Sequence, residues 1–175
     1  MNHLEQMPYT RAFIQELMRH RTLVPLSVMR KTNEECSIDG YVIPKNTMVL
    51  TNNSLSWKNI CLMHFTRFQI IPNIWSVHHD PELFENPEQF RPERFLDRDG
   101  KFVRSSYVIP FSVGSRQCLG KELGSMELFI FLTGIIQKLK ILPDPEYPLP
   151  PLTAGISRLL ITYEPPDCKL QFVRR

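Results

Sequence analysis

The sequence lacks the patterns that mark several classes of protein. Its four cysteines, at positions 36, 61, 118 and 168, form no Cys-x-x-Cys pair and follow no secretory signal. A disulfide framework is therefore not expected, and reduced thiols indicate an intracellular setting. No apolar run reaches the length that crosses a bilayer, so we expect no membrane anchor in this chain. A net charge of +3, evenly spread, argues against nucleic-acid binding.

Proline, by contrast, is abundant. The 15 prolines cluster within residues 72–92 and 143–166, so much of the chain is predicted to be ordered coil. Between residues 80 and 100 we expect one short helix near residues 81–83, followed by coil that single aromatic side chains such as Phe84 and Phe95 hold in place. With 175 residues and 42% hydrophobic content, the chain can bury a core of its own.

One stretch, residues 111–120, carries recognisable chemistry. It reads Phe-x-x-Gly-x-Arg-x-Cys-x-Gly, and it places Cys118 where a glycine-containing loop turns into an apolar helix. The positive end of a helix favours a thiolate. Such a thiolate can attack an electrophile or ligate a soft metal, including haem iron. The simpler alternative is a small apolar cysteine at the start of a helix.

A short amphipathic helix is predicted over residues 10–21, where apolar residues recur at helical spacing after Pro8. The helix carries Glu16 and Arg19 three positions apart, so both side chains project from one face. Taken alone, this spacing indicates a surface ion pair that contributes little to stability.

Three other segments have local patterns. Residues 36–45 contain Asp-Gly between two short alternating runs, which predicts a β-hairpin. Residues 119–139 predict a helix that is apolar around most of its circumference, and we expect this helix to be buried. Two late strands are predicted at residues 159–163 and 169–173.

Residues 111–120 resemble the haem-thiolate loop of the cytochrome P450 family, and other segments follow in the family's order. Glu16 and Arg19 match its Glu-x-x-Arg pair, and Pro-Glu-Arg-Phe at residues 92–95 matches a later segment. The similarity is closest to microsomal members and corresponds to the last third of such a protein. The resemblance implies an α+β fold, mainly α with small β-sheets, in which residues 1–175 form a single partial cytochrome P450 domain.

The resemblance also implies roles for individual residues. Cys118 would be the axial ligand of the iron of haem b, and Phe111 would cover its sulfur from water. Gly114 and Gly120 would leave room for the macrocycle. Two arginines that would pair with the haem propionates complete the cofactor-binding set: Arg116 and Arg30.

Two further groups of residues are implied by the same match. Glu16, Arg19 and Arg94 would form one buried network that braces the coil before the cysteine, which reverses the interpretation as a surface pair. A strand that passes over the haem face would line the substrate pocket with three side chains: Leu26, Ser27 and Val28.

The function implied is that of a haem-thiolate monooxygenase, an oxidoreductase that inserts one oxygen atom from O2 into a lipophilic organic substrate. Electrons would come from NADPH through a reductase, at the cytoplasmic face of the endoplasmic reticulum membrane. A second hypothesis is a catalytically inactive haem-binding or structural fragment of such a protein. A third, a hydrolase with a cysteine nucleophile, needs a general base within hydrogen-bond reach, and no motif supplies one.

Residues 49–69 have no counterpart in the family pattern. They form a 21-residue insertion, interpreted either as a surface loop or as a retained intron. The intron hypothesis rests on codons, because every Val codon begins with GT and one Gln codon is CAG, which together match the usual intron borders. The insertion separates two segments, residues 48–51 and 69–71, that could occupy the same place in a sheet.

Overall fold

The computed structural model describes residues 2–25, 30–38, 40–49, 69–70, 74–151, 156–158 and 162–175. The predicted pocket residues Leu26, Ser27 and Val28 lie outside these ranges, as do residues 50–68 of the predicted insertion.

Helices and short strands alternate along the described part of the chain. The helices are α1 (Asn2–Glu5), α2 (Pro8–His20), α3 (Ile74–His78) and α4 (Lys121–Lys138). The strands are β1 (Arg30–Lys31), β2 (Cys36–Ile38), β3 (Tyr41–Ile43), β4 (Met48–Val49), β5 (Gln69–Ile70), β6 (Leu139–Pro143), β7 (Ile156–Arg158), β8 (Thr162–Glu164) and β9 (Leu170–Arg174). Two 3-10 helices, Pro92–Phe95 and Gly114–Arg116, lie between α3 and α4.

The core of the described residues is built around α2. Pro8 begins this helix, where its fixed φ suits the first turn and its missing N–H leaves no bond unmade. Ala12, on the buried face, is fully covered and clusters with Phe84 and Phe95 of the following coil. Aromatic side chains therefore hold the coil within residues 80–100 in place, as the sequence predicts, and the structure shows that they do so against α2.

The strands in the described ranges form four small sheets. β2 and β3 form the predicted hairpin, in which Ile38 faces Tyr41 and Gly40 has a φ of 82°. This positive φ lies in the left-handed region that favours glycine, which explains the Asp-Gly signal. Two more two-stranded antiparallel sheets pair β7 with β8 and β6 with β9.

Both segments that flank the predicted insertion are used in one sheet. β4 pairs antiparallel with β1, so that Arg30 lies opposite Val49. β5 then pairs parallel with β4, so that Gln69 lies opposite Met48. The described residues of the two candidate segments, 48–49 and 69–70, therefore lie side by side, and neither pair displaces the other.

The prediction that the last long helix is buried is wrong. α4 runs from Lys121 to Lys138, and none of its residues is buried. Phe131 is 66% exposed and Ile130 is 56% exposed, although both are strongly apolar. A helix with apolar residues around its circumference is expected to pack against other segments. The pattern does not show which segment packs there, and no described segment lies over most of this surface. The chain also leaves helical geometry at Leu139 to form β6.

The short helix expected near residues 81–83 is a turn. Asp80 Oδ1 accepts a hydrogen bond from the Glu82 N–H at 2.8 Å, and this side-chain bond competes with helix formation. A short helix occurs earlier, as α3. The α+β class is confirmed, and no helix in the described part of the chain is long and apolar enough to span a bilayer.

Candidate functional site

The Cys118 loop, residues 111–120, is closed by its own backbone. The Cys118 N–H donates to the Phe111 carbonyl oxygen at 2.8 Å, which brings the two ends of the loop together. Two consecutive turns make this possible, because Ser112 and Gly114 both have positive φ, 63° and 79°. The 3-10 helix Gly114–Arg116 forms the middle of the loop. The backbone of the loop is therefore closed by a hydrogen bond between residues of the loop itself.

The thiol of Cys118 is exposed and unpaired. It stands directly before α4, since Gly120 is the residue that precedes the helix and the Lys121 N–H donates to the Cys118 carbonyl at 3.4 Å. A Cβ placed on Gly120 would lie 3.9 Å from the Cys118 sulfur. The absence of a side chain at Gly120 thus keeps space open beside the thiol.

The residues around the thiol fit a flat, largely apolar group that carries carboxylates. Leu119 is fully exposed next to Cys118, which leaves apolar surface for such a group to cover. Arg116 is exposed in the 3-10 helix of the loop and supplies a permanent cation. A haem has this combination of an iron that binds thiolate, an apolar ring and two propionates.

Two other predicted cofactor residues are placed less directly. Phe111 is tied to Cys118 through the backbone, and its ring packs on α4, 3.7 Å from where a Cβ on Gly124 would lie. Arg30 lies on β1, but its side chain is outside the described part of the structure. The structure therefore brings together the loop residues and leaves the position of the Arg30 guanidinium undescribed.

The structure also brings Glu16, Arg19 and Arg94 together. Arg19 donates to both carboxylate oxygens of Glu16, from Nε to Oε2 at 2.7 Å and from Nη2 to Oε1 at 2.8 Å. Arg94 Nε donates to Glu16 Oε1 at 3.2 Å, and the Arg91 N–H donates to the same oxygen at 2.8 Å. Both side chains of the Glu16–Arg19 pair are fully buried. The carboxylate is thus satisfied by four donors.

The guanidinium groups of Arg19 and Arg94 also donate hydrogen bonds to carbonyl oxygens of the coil. Arg19 donates to the carbonyls of His78 and Pro87 at 2.6 and 2.8 Å. Arg94 donates to the carbonyls of Glu85 and Gln89 at 2.8 and 3.0 Å. Because each bond joins a charged donor to backbone, the network fixes the path of residues 78–89 against α2.

The charge on Glu16 is held by its partners. Burial alone would raise the pKa of this carboxyl, but the hydrogen bonds from Arg19 and the Arg91 N–H, together with the positive charges of Arg19 and Arg94, hold the pKa below its ordinary value. Desolvation lowers the pKa of Arg94, and its proximity to Glu16 opposes that effect. The network is therefore an ionised one.

Adjacent histidines, His78 and His79, have distinct environments that the sequence did not reveal. Burial, chiefly, lowers the pKa of each ring to about 4. The His79 ring stacks on Trp75, with ring centroids 4.2 Å apart. His78 instead bonds to two other segments through its two ring nitrogens. No local pattern distinguishes these residues, and no group of three or more acidic, histidine or cysteine residues in the described ranges could hold a metal.

A cleft of about 390 Å³ separates α2 from the Cys118 loop and the first turns of α4. Gln15 of α2, Phe111 of the loop and Lys121 of α4 contribute to its lining. Cys118 does not line this cleft. The thiol is therefore presented on a different face of the loop from the one that faces α2.

Comparison with known proteins agrees with this geometry. The model of the cytochrome P450 family matches residues 1–59 and 68–171. The chain therefore belongs to the cytochrome P450 family, which confirms the resemblance and the α+β fold expected from it. Membership of this family implies haem. The unmatched residues 60–67 fall inside the predicted insertion at 49–69, whose borders stay a prediction.

Individual relatives cover nearly the whole chain. Cytochrome P450 2U1 of Homo sapiens is 36% identical over 170 residues, which are 97% of this chain and 27% of that protein. Cytochrome P450 2C13, male-specific, of Rattus norvegicus is 36% identical over 176 aligned positions, with 99% of this chain and 31% of that protein covered. Cytochrome P450 2E1 of Oryctolagus cuniculus is 38% identical, at 97% and 30% coverage. The chain spans about a quarter to a third of the length of these relatives.

Proposed function

We propose that this chain carries the haem-binding loop of a haem-thiolate monooxygenase, an oxidoreductase that inserts one oxygen atom from O2 into a lipophilic organic substrate. The observation that carries the proposal is the closed loop that presents the exposed Cys118 thiol next to Gly120 and directly before α4. Its membership of the cytochrome P450 family supports the same reaction.

The loop residues have separate tasks in this proposal. Cys118 would hold the iron of haem b through its sulfur, and Gly114 and Gly120 would keep side chains away from the macrocycle. Bound haem supplies the activation of O2, to which the thiolate contributes electron density. Phe111 excludes water from the sulfur side. Two arginines bind the propionates through charge-assisted hydrogen bonds: Arg116 and Arg30.

The other predicted groups serve the loop or the substrate. Glu16, Arg19 and Arg94 hold the coil that leads to the loop, and this role is supported by their burial and mutual hydrogen bonds. The substrate pocket is assigned by the family match to three residues: Leu26, Ser27 and Val28.

Partners and location follow from the same proposal. The small-molecule partners are O2 and a lipophilic substrate, and electrons arrive from NADPH through a reductase. The proposed location is the cytoplasmic face of the endoplasmic reticulum membrane. We propose no nucleic-acid partner. Similarity to Cytochrome P450 2U1 and 2C13 supports the assignment to the microsomal members of the family.

A second candidate is a catalytically inactive haem-binding or structural fragment. The specific observation that favours it is the exposure of α4, of which no residue is buried. A thiolate site without an opposing pocket does not exclude water, and such a site does not control the chemistry of oxygen.

The domain organisation is proposed as one partial domain, residues 1–175, with residues 49–69 as an insertion. The unmatched residues 60–67 and the pairing of β4 with β5 on either side of the gap support an insertion at this place. A retained intron is one proposed origin of the insertion, and a surface loop is the other. Sequencing the gene and its transcripts tests the intron origin, and a CAA codon at position 69 would contradict it.

Haem reconstitution separates the two functional candidates. The purified chain is titrated with haem, and the reduced carbon-monoxide difference spectrum is recorded. Turnover of a lipophilic probe is then measured in the presence of NADPH and reductase. The matched variants are Cys118→Ala and Cys168→Ala, because both thiols are exposed. A thiolate-type band that only Cys118→Ala abolishes supports a haem site, and turnover then selects the enzyme. A band without turnover selects the haem-binding fragment. No haem uptake overturns both the enzyme and the haem-binding fragment, and it leaves the structural fragment.

A further inference from the structure

His78, at the end of α3, joins three parts of the structure and is fully buried. Its Nδ1 lies 2.7 Å from Thr22 Oγ1, just after α2. Its Nε2 accepts a hydrogen bond from the Ile109 N–H at 2.8 Å. Its carbonyl oxygen accepts a hydrogen bond from Arg19 Nη1 at 2.6 Å. One residue therefore connects α2, the buried ion-pair network and the approach to the Cys118 loop.

These contacts define the protonation state of the ring. A backbone N–H only donates, so Nε2 of His78 must offer a lone pair to Ile109. The Thr22 hydroxyl proton is directed at the carbonyls of Met18 and Arg19, at 3.1 and 3.3 Å, so its oxygen is available to accept from Nδ1–H. His78 is therefore the neutral Nδ1–H tautomer, which agrees with a pKa lowered to about 4, chiefly by burial.

Ile109 is the anchor at the entrance of the loop. Its carbonyl oxygen accepts the Ser112 N–H at 2.9 Å, while its own N–H is held by His78. The next residue, Pro110, has no N–H, so Ile109 provides the last backbone donor before Phe111 begins the loop. A displacement of Ile109 is therefore transmitted to Ser112 and Phe111, whose carbonyl oxygen closes the loop on Cys118.

We propose that His78 is a positioning residue for the Cys118 loop. Its ring holds the Ile109 amide and its carbonyl is held by Arg19, so the Glu16–Arg19–Arg94 network sets the position of the loop entrance through this residue. The geometric part of the proposal concerns the chain without cofactor. The consequence for haem affinity rests on the proposed function, and the two are tested by separate measurements.

Two substitutions separate positioning from general stability. In His78→Gln, the longer amide can place its oxygen near the position of Nε2 and accept the Ile109 N–H. In His78→Asn, the shorter amide reaches the position of Nδ1 and Thr22, and it leaves the Ile109 N–H without an acceptor. A third variant, Thr22→Val, removes the acceptor for the Nδ1–H of His78. Because Thr22 lies far from Ile109 in sequence, the substitution does not alter the local chain around Ile109.

Amide hydrogen exchange of the full chain is the first measurement. For His78→Asn we expect exchange at Ile109 and Ser112 to rise by about tenfold or more, as a lost hydrogen bond of about 1.4 kcal/mol would produce. The Arg21 N–H, which bonds to the Leu17 carbonyl at 2.8 Å at the C-terminal end of α2, is the internal reference. His78→Gln should keep both sites close to the original protection. Equal increases at Ile109 and Arg21, or failure of Gln to restore protection at Ile109, would overturn the proposal.

Thr22→Val keeps the test decisive if the His78 variants do not fold. A selective increase of exchange at Ile109 in this variant supports the proposal, and unchanged exchange at Ile109 contradicts it. Haem titration of the same proteins is the second measurement. We expect the half-saturating haem concentration to be several-fold higher for His78→Asn than for His78→Gln. If no variant and no parent chain binds haem, the proposed function fails, while the exchange data still decide the role of His78.

Discussion

Arg94 Nε donates a hydrogen bond to Glu16 Oε1 at 3.2 Å, although 78 positions separate the two residues along the chain. The Arg94 side chain is 6% exposed and that of Glu16 is fully buried, so the contact is shielded from solvent. A buried charge is tolerated only when its partners are in place, and here the carboxylate holds two arginines and a backbone amide. The contact therefore fastens the coil before the cysteine to α2.

Glu16→Ala should strongly destabilise the chain, because it leaves Arg19 and Arg94 as buried charges without a counter-ion. The expected loss is about 3–5 kcal/mol in the free energy of unfolding, measured by urea denaturation. The matched control is Glu85→Ala, which removes a carboxylate that also pairs with an arginine, Arg91, at 2.8 Å but whose side chain is 73% exposed. The control should leave the free energy of unfolding almost unchanged. Equal effects of the two substitutions would show that the network is not a buried brace.

Two glycine substitutions should change stability in opposite directions. Gly114→Ala introduces a side chain at a φ of 79°, which should cost about 1–2 kcal/mol in the free energy of unfolding. Gly134→Ala places a side chain in the interior of α4 with no atom within 4 Å of the new Cβ, and it should stabilise the chain by about 0.5–1 kcal/mol. Thermal unfolding of both variants against the parent chain gives the signs, and a stabilising Gly114→Ala would refute the turn geometry of the loop.

Stability should decrease as the pH falls from about 6.5 to about 4. His78 and His79 have a pKa of about 4 in the folded chain, against an ordinary value near 6.5, so the unfolded chain binds protons first. The stabilisation is complete above about pH 6.5, and each ring accounts for a loss of up to about 3 kcal/mol by pH 4. Glu16, whose pKa is below its ordinary value, adds a further loss as the pH falls through that lowered pKa.

Urea midpoints measured between pH 4 and pH 8 check this dependence. The informative variant is His79→Phe, because phenylalanine can keep the aromatic stack on Trp75 and does not titrate. Its stability should fall less steeply between pH 6.5 and 4, because His79 no longer contributes, whereas His78 and His20, whose pKa values are also lowered chiefly by burial, still do. A profile for His79→Phe as steep as that of the parent chain would mean that His79 is not a source of the acid sensitivity.

Truncation of two phenylalanines should distinguish the covered part of the chain from the uncovered part. Phe95→Ala removes a ring that is 3% exposed and packs with Ala12 and Phe84, and it should cost about 3–5 kcal/mol in the free energy of unfolding. Phe131→Ala removes a ring of α4 that is 66% exposed and should change the free energy by less than about 0.5 kcal/mol. A large loss for Phe131→Ala would show that α4 is covered in solution, for example by a second copy of the chain.

Short-range features were predicted well because neighbouring residues produce them. Gly40 appears in the turn of the β2–β3 hairpin, where the Asp-Gly pattern predicts a positive φ. Glu16 and Arg19 face the same side of α2 because three positions make nearly one helical turn. The bond that closes the Cys118 loop joins Phe111 and Cys118, seven positions apart, and the motif that resembles the family lies within residues 111–120, so it was visible without any other part of the chain.

Features that depend on distant segments were predicted poorly or only through the family match. Helical periodicity correctly indicates that α4 is apolar, but its exposure depends on whether another segment lies over it, and the expectation of burial was wrong. The meeting of Arg94 with Glu16 was expected from the family match, and no spacing in the sequence indicates it. The importance of His78 was missed, because two adjacent histidines give no local signal of which ring lies between α2 and Ile109.

The amino-acid sequence alone establishes the family, the α+β class and the local shape of the loop that presents Cys118, because backbone conformation and hydrogen bonds within a few residues are dictated by residue type. The three-dimensional fold decides which charges are buried, which ring nitrogen of His78 holds a donor and which face of α4 stays exposed. These properties arise when segments far apart in the chain exclude water from one another, and the strength of an ion pair or a hydrogen bond depends on that exclusion.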